Sequence, residues 1–469
     1  MFRSVVRNRF VVTRLLAVAA LGAALAACGS TSSPSDPSTS CPVGAVAASP
    51  HSGSLNANET WSGVHEVSGT VTLSAGVTLT IAPCAEIRFA PNAGISLTYA
   101  GAHLEAVGEA TRPIRFVRRD AASPWSSVFV WAPASATLAH VTLDGGGTST
   151  VFADADYKGA TLVGRGDSVI LPVVLKVTDV VVSGSNGLGV MLVAARFDPT
   201  STNLTIKGAG WFPIYLGADC ASELPAGTYT GNAIDEILLQ SVSVAVWGNS
   251  RPLVQDVTMH NRGVPYRVGS EPSSIIVGDS KPTSTNALLT IEAGVKLRFA
   301  TGGSAGTQLE VQGALRSGAW ESQGALVVAG TATDPVVFTS AAAVPAAGDW
   351  QGLYFKSVVD ARSRVDYAVI EYAGGDSLST GVCVAKPGAV NSDADCSVIM
   401  ALQSDKPPAQ QFITHTRIAN GLGCGFYRNW QVVDLDFRPT NEFVNITGCA
   451  QSVVPNALNV CVPASCTAP

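Results

Sequence analysis

The stretch TLTIAPCAEIRFAP, Thr78 to Pro91, returns as LLTIEAGVKLRFAT, Leu288 to Thr301, with six of fourteen positions identical at an offset of 210. In both copies apolar residues alternate with polar ones. Leu79, Ile81, Ile87 and Phe89 flank Thr80 and Arg88, and Leu289, Ile291, Leu297 and Phe299 flank Thr290 and Arg298. A period of two predicts short strands with one buried face. Ala82-Pro83-Cys84 and Glu292-Ala293-Gly294 lie between the paired strands, where Pro and Gly supply turn dihedrals.

The correspondence runs on with drifting offsets. LEAVGEATRPIRF from Leu104 matches LVVAGTATDPVVF from Leu326, Trp125 matches Trp350, and Asp144 stands opposite Glu371. Most of the drift falls in RSGAWESQG, Arg316 to Gly324. Strand-like segments that keep their lengths while turns vary predict a solenoid, in which each coil buries its apolar side against its neighbours. No segment after residue 28 sustains helical apolar spacing for three turns, so the fold class is all-β. Trp125 and Trp350, at matched positions, are expected to pack against the solenoid. Trp61, Trp211 and Trp430 are further aromatic candidates for stacking on sugar rings.

The ends carry a different kind of signal. Arg3, Arg7, Arg9 and Arg14 precede the apolar run LLAVAALGAALAA, which ends at Cys28. The run is too short to cross a bilayer core of ~30 Å as a helix and reads as a secretory signal. Leu25-Ala26-Ala27-Cys28 resembles a bacterial lipobox, which implies that Cys28 is acylated; the alternative is an ordinary signal peptide with a free Cys28. Two lipid-bearing groups on one N-terminus anchor stably without spanning. In lipoproteins resembling this one, Gly29 rather than Asp after the cysteine favours the outer membrane, with the protein expected to face the periplasm or the surface. Gly29 to Ser40 is a Ser/Pro-rich tether that could reach ~40 Å.

Removing residues 1–27 takes away four arginines and no acid, so the formal charge moves from −6 to −10. A basic footprint for nucleic acid is absent. The cysteines suit an oxidising compartment, and none shows CxxC spacing. The economical pairing is Cys41 with Cys84, Cys383 with Cys396, Cys424 with Cys449 and Cys461 with Cys466, which leaves Cys220 alone. The expected organisation is a signal peptide at 1–27, a tether at 28–40, a first run of coils at 41–264, a second at 265–440 and a disulfide-rich cap at 441–469.

Several phrases carry a resemblance: GVTLTIAPCAEIRF, AGTYTGNAIDEILL, RGVPYRV, ALLTIEAGVKLRF, TATDPVVFTS, GDWQGLYF and SRVDYAVIEYAGG. Together they resemble bacterial surface lipoproteins built as right-handed parallel β-helices of the pectate-lyase-like superfamily. The resemblance covers most of residues 60 to 376. TYTGNAIDEILL and VPYRV are expected at the seam between runs. The first copy departs from the family's Pro-Gly at Pro83-Cys84, and Cys84 is read as recruited into a disulfide with Cys41.

Enzymes of this superfamily hold polysaccharide along one sheet, and lyases among them use carboxylate-bound calcium with an Arg or Lys base. The resemblance makes Asp349, Arg364, Asp366 and Glu371 the catalytic candidates. Their first-copy counterparts argue against chemistry, since Pro124 and Ala139 stand opposite Asp349 and Asp366. No cofactor is expected, and calcium is the one metal the acids leave open. Asn391 to Asp395, NSDAD, alternates oxygen ligands, but Cys396 and Leu402 break the EF-hand pattern. Gly302 to Gly306, GGSAG, fits a nucleophile elbow but leads into a strand. His140 and Asp144 could share a strand face and lack a third ligand.

The expected function is therefore a lipid-anchored envelope β-helix with a binding or structural role. Polysaccharide or an envelope protein is the expected partner. The alternative is a polysaccharide lyase or hydrolase acting on acidic glycans, and a third possibility is a scaffold with no small ligand.

Overall fold

Thr78–Ile81 and Glu86–Phe89 are strands in which every second side chain is buried, as the alternation requires. The turn between them puts Cys84 at φ +69°, where the second copy has Gly294 at φ +75°. A left-handed residue is needed there, and Cys84 is bonded to Cys41 with 5.2 Å between their Cα atoms. The computed structural model describes residues 41, 50–148, 159–166, 172–239, 252–270, 273–280, 286–301, 307–375, 395–403, 405–431, 433–452 and 454. Ser40–Pro469 is one compact unit.

Successive strands return to the same face one coil later and pair in parallel, making a right-handed parallel β-helix. In the first run, Thr78–Ile81, His103–Val107 and the start of Ser135–Asp144 stack as the first face. Glu86–Phe89, Ile114–Arg118 and the end of Ser135–Asp144 form the second. Gly94–Leu97, Val128–Trp131 and Ala160–Arg165 form the third. Ser135–Asp144 and Val173–Ser183 bend within themselves, at His140 (φ +49°) and Asp179 (φ +52°). Those corner residues and Asn203 form a polar ladder, with Asn203 Nδ2 donating to Asp179 Oδ1 at 2.5 Å.

One apolar column runs from end to end. Val71, Ile95, Val128, Leu162, Val190, Ile214, Ile237, Tyr266, Leu297, Phe338, Ile370, Ile418 and Phe443 stand in consecutive register. The column crosses the seam by changing face. Ile237–Leu239, on the third face of the first run, pairs with Tyr266–Val268, which belongs to the second face of the next. These are the two phrases expected at the seam. Gly227–Thr228 is the last strand of the old second face among the described residues, and a new third face opens where Leu253 bridges Val277. A 3-10 turn, Ala218–Glu223, replaces the first-face strand, and Ser222 Oγ accepts from the Thr258 N–H at 2.8 Å.

The insertion at Arg316 is an antiparallel hairpin, Gly313–Arg316 with Ala319–Ser322. Pairing continues past residue 441: Glu442–Val444 stacks on Arg417–Ala419, so the C-terminal segment opens with one more coil strand. Beside it the column Val277, Val311, Phe355, Met400 ends on Arg428. Its buried guanidinium donates to the carbonyls of Ser452 (2.9 Å) and Leu435 (2.6 Å) and to Asp434 (2.5 Å), closing the core with satisfied polar atoms.

The cysteine pairing needs one correction. Cys396 is bonded to Cys424, not to Cys383, and Cys424 is therefore not bonded to Cys449. Proximity in a solenoid is one coil away rather than nearest in sequence, and these two cysteines are register partners on adjacent strands. Cys449 is also disulfide-bonded. Cys383, Cys461 and Cys466 lie outside the described residues. Cys220 is a free, buried thiol that burial holds well above its usual pKa.

Candidate functional site

The four residues singled out from the sequence fall into two pairs on different faces. Arg364 and Asp366 share the strand Arg364–Asp366 on the first face of the second run. Asp366 Oδ1 accepts from Thr414 Oγ1 at 2.9 Å and pairs with His415 Nδ1 at 2.7 Å, while Tyr367 stacks on the His415 ring with centroids 4.6 Å apart. Asp349 and Glu371 meet the end of Val336–Ser340 instead: Ser340 Oγ donates to Asp349 at 2.6 Å and Thr339 Oγ1 to Glu371 at 2.9 Å. No hydrogen bond or ion pair joins the two pairs among the described residues. Glu371 joins two stacked strands, and Asp349 serves the turn. Asp349 also accepts from the Ala346 N–H at 2.9 Å.

His140 and Asp144 do not share a face, because the strand turns at His140. His140 faces Asp179 at 3.5 Å, and Asp144 faces Arg118 and Ser183. Trp125 and Trp350 are buried in the coil interior, stacked on Phe89 and Phe299 at 4.4 and 4.1 Å. Trp61 and Trp430 are buried too, which removes them from sugar stacking, and Trp211 is half-buried beside Phe212. GGSAG and the first four residues of NSDAD lie outside the described residues. Among the described residues no three His, Cys, Asp or Glu side chains gather as a metal site.

A second site was not singled out from the sequence. On the outer side of the first run's second face, Glu66, Glu86, Arg88, Arg115, Arg118, Arg119 and Asp144 line a depression of about 370 Å³ with Val117 and Ala121. The register explains it: Glu66 pairs with Arg88, and Glu86 with Arg115, so charges on successive coils stack. Glu86 grips Arg88 at 2.6 Å and Arg115 at 3.0 Å, Asp144 holds Arg118 at 3.2 Å, and Glu66 stands 3.9 Å from Arg119. Four guanidiniums against three carboxylates reverse the sign of an otherwise acidic chain. The signal was present as RFVRRD, Arg115 to Asp120, the densest basic run after residue 27.

Arg298, the second-copy counterpart of Arg88, is committed differently. It bonds Glu236 and the carbonyls of Ser340, Ala341 and Ala342, and Glu236 also holds Arg267 at 2.6 Å. The same motif residue is thus structural in one copy and surface-directed in the other.

Residues 275–377 match the family model of a pectate-lyase-like β-helix domain. That match and the long parallel sheets support the β-helix superfamily for this chain. No curated protein and no solved structure matches it.

Proposed function

We propose that this protein is a lipid-anchored β-helix of a bacterial outer membrane with a binding or architectural role in the envelope, and that polysaccharide is its ligand class. The observation that carries the reading is the uninterrupted apolar column from Val71 to Phe443, which supports a stiff rod with flat sheets on its outside. The β-helix match at 275–377 supports a glycan-related role. The basic, apolar and LAAC succession before Cys28 supports the anchor, and an envelope protein is the other partner that such a rod could carry.

Two measurements test this reading. Cys28→Ala should release the protein from the membrane fraction or stop its processing, and an unmodified N-terminus on membrane-bound protein would remove the anchor. A glycan array probed with residues 41–469 should give binding; an array with no signal leaves the scaffold role in its place.

The second reading, a lyase or hydrolase, rests on the Asp366–His415 pair with Arg364 on the same strand. A base needs a nearby cation to stabilise enolate-like charge, and here the groups are few. Incubation with calcium and pectate, alginate or glycosaminoglycan should yield no unsaturated product. Turnover abolished by Arg364→Ala would replace the binding role with catalysis.

A further inference from the structure

We infer that the arginine depression is a membrane-docking site, taking the phosphodiester groups of anionic lipid headgroups. The inference rests on the lipoprotein reading for which bilayer is met, and on the geometry for the chemistry.

The charges are layered. The Glu86 and Glu66 side chains are 20% and 28% exposed, whereas Arg88, Arg115 and Arg119 are 37%, 58% and 44% exposed. Glu86 and Glu66 thus lie beneath Arg88, Arg115 and Arg119, whereas Asp144 is more open than the Arg118 it holds. Arg118 is seated against Gly145, where an added Cβ would come within 2.0 Å of its Nε, and Asp144, which holds it, accepts from Ser183 Oγ at 2.8 Å. Asp120, beside Arg119, turns its carboxylate onto the Ala122 N–H and Ser123 Oγ, both at 3.0 Å. A guanidinium has five N–H donors, and at most one of each is engaged in a hydrogen bond to the described residues, so a fork of donors remains for an oxyanion.

The position suits a membrane. Cys41, where the tether ends, is bonded to Cys84, two residues before Glu86. A tether of up to ~40 Å lets this end of the rod reach the headgroups. The overall acidity does not prevent contact, because charges farther than about 8 Å are largely screened at physiological salt.

A long acidic polymer fits less well. Beyond Arg115 the outward register on this face continues through Thr142, Val181, Thr205 and Thr228, so the charge ends after a few coils. A chain laid along the rod would meet this neutral column, with Lys207 the next basic side chain beside it, whereas a headgroup needs only a patch.

The test uses the mature chain from Gly29, secreted behind a signal peptide that is cleaved without acylation, and vesicles of phosphatidylcholine alone or mixed with phosphatidylglycerol. The chain should float with the mixed vesicles only, and less so as salt rises. Arg115→Gln with Arg119→Gln should weaken binding about 30-fold, at roughly fivefold per arginine near an anionic surface, with an unchanged thermal transition. Glu66→Gln should strengthen it. Equal binding to neutral vesicles, or an unchanged affinity in the folded double variant, would overturn the inference. So would oligogalacturonate binding at these arginines without vesicle binding, which would assign the patch to glycan. Acyl labelling at Cys28 is read separately: its absence removes the anchor and leaves the vesicle result standing.

Discussion

The indole N–H of Trp350 donates to the backbone carbonyl of Glu371 at 2.8 Å, and Trp125 does the same to Asp144 at 2.7 Å. Each tryptophan closes its coil onto the next at the corner leaving the second face. Trp350→Phe keeps the stack on Phe299 but leaves a carbonyl without its donor, a loss of about 1–2 kcal/mol. Trp350→Ala should cost about 3–5 kcal/mol. Chemical denaturation of the two variants separates the hydrogen bond from the packing.

The Cys396–Cys424 bond ties two neighbouring coils. Non-reducing peptide mapping should recover these two cysteines in one linked fragment. Cys424→Ala should lower stability by about 2–4 kcal/mol, and a fragment linking Cys383 to Cys396 instead would refute the pairing.

Gly145 sits at φ +77° under Arg118. Alanine there pays a left-handed backbone cost of about 1–2 kcal/mol and pushes the guanidinium off Asp144. Gly145→Ala should therefore lose both stability and affinity for anionic vesicles, whereas Gly76→Ala, with open space at its Cβ, should lose stability alone. Thermal melts and flotation measured on both variants check this.

At the N-terminal end His51 and His65 share a hydrogen bond at 2.9 Å, with ring centroids 5.1 Å apart, and both stack on Trp61. Burial holds both below the ordinary value of 6.5, against the pull of Glu59, and at His65 the Ser62 carbonyl also opposes the shift while His51 adds to it. Between the lowered values and 6.5 the folded state binds fewer protons than the unfolded one. Their contribution is complete above 6.5 and is lost as pH falls through the lowered values. Hydrogen exchange over His51–Leu73 should speed up on acidification from about 7.5 to 5.5 after correction for intrinsic rates. His51→Gln with His65→Gln should flatten that dependence.

What the sequence determined by itself was local. Alternation in TLTI and EIRF marks strands, Pro83-Cys84 and Ala293-Gly294 mark turns, and the matched Trp125 and Trp350 mark interior positions, because a period of two and a turn dihedral are properties of neighbouring residues. The tertiary structure decided everything that depends on which coil lies on which. Cys396 meets Cys424, Glu86 meets Arg115, and Ile237 meets Tyr266 across a change of face, because loop lengths set the stacking register. Asp349, Arg364, Asp366 and Glu371 are close in sequence yet divide into two pairs, because the third-face strand Gly352–Ser357 lies between Asp349 and Arg364 and a corner at Tyr367, φ +49°, parts Asp366 from Glu371.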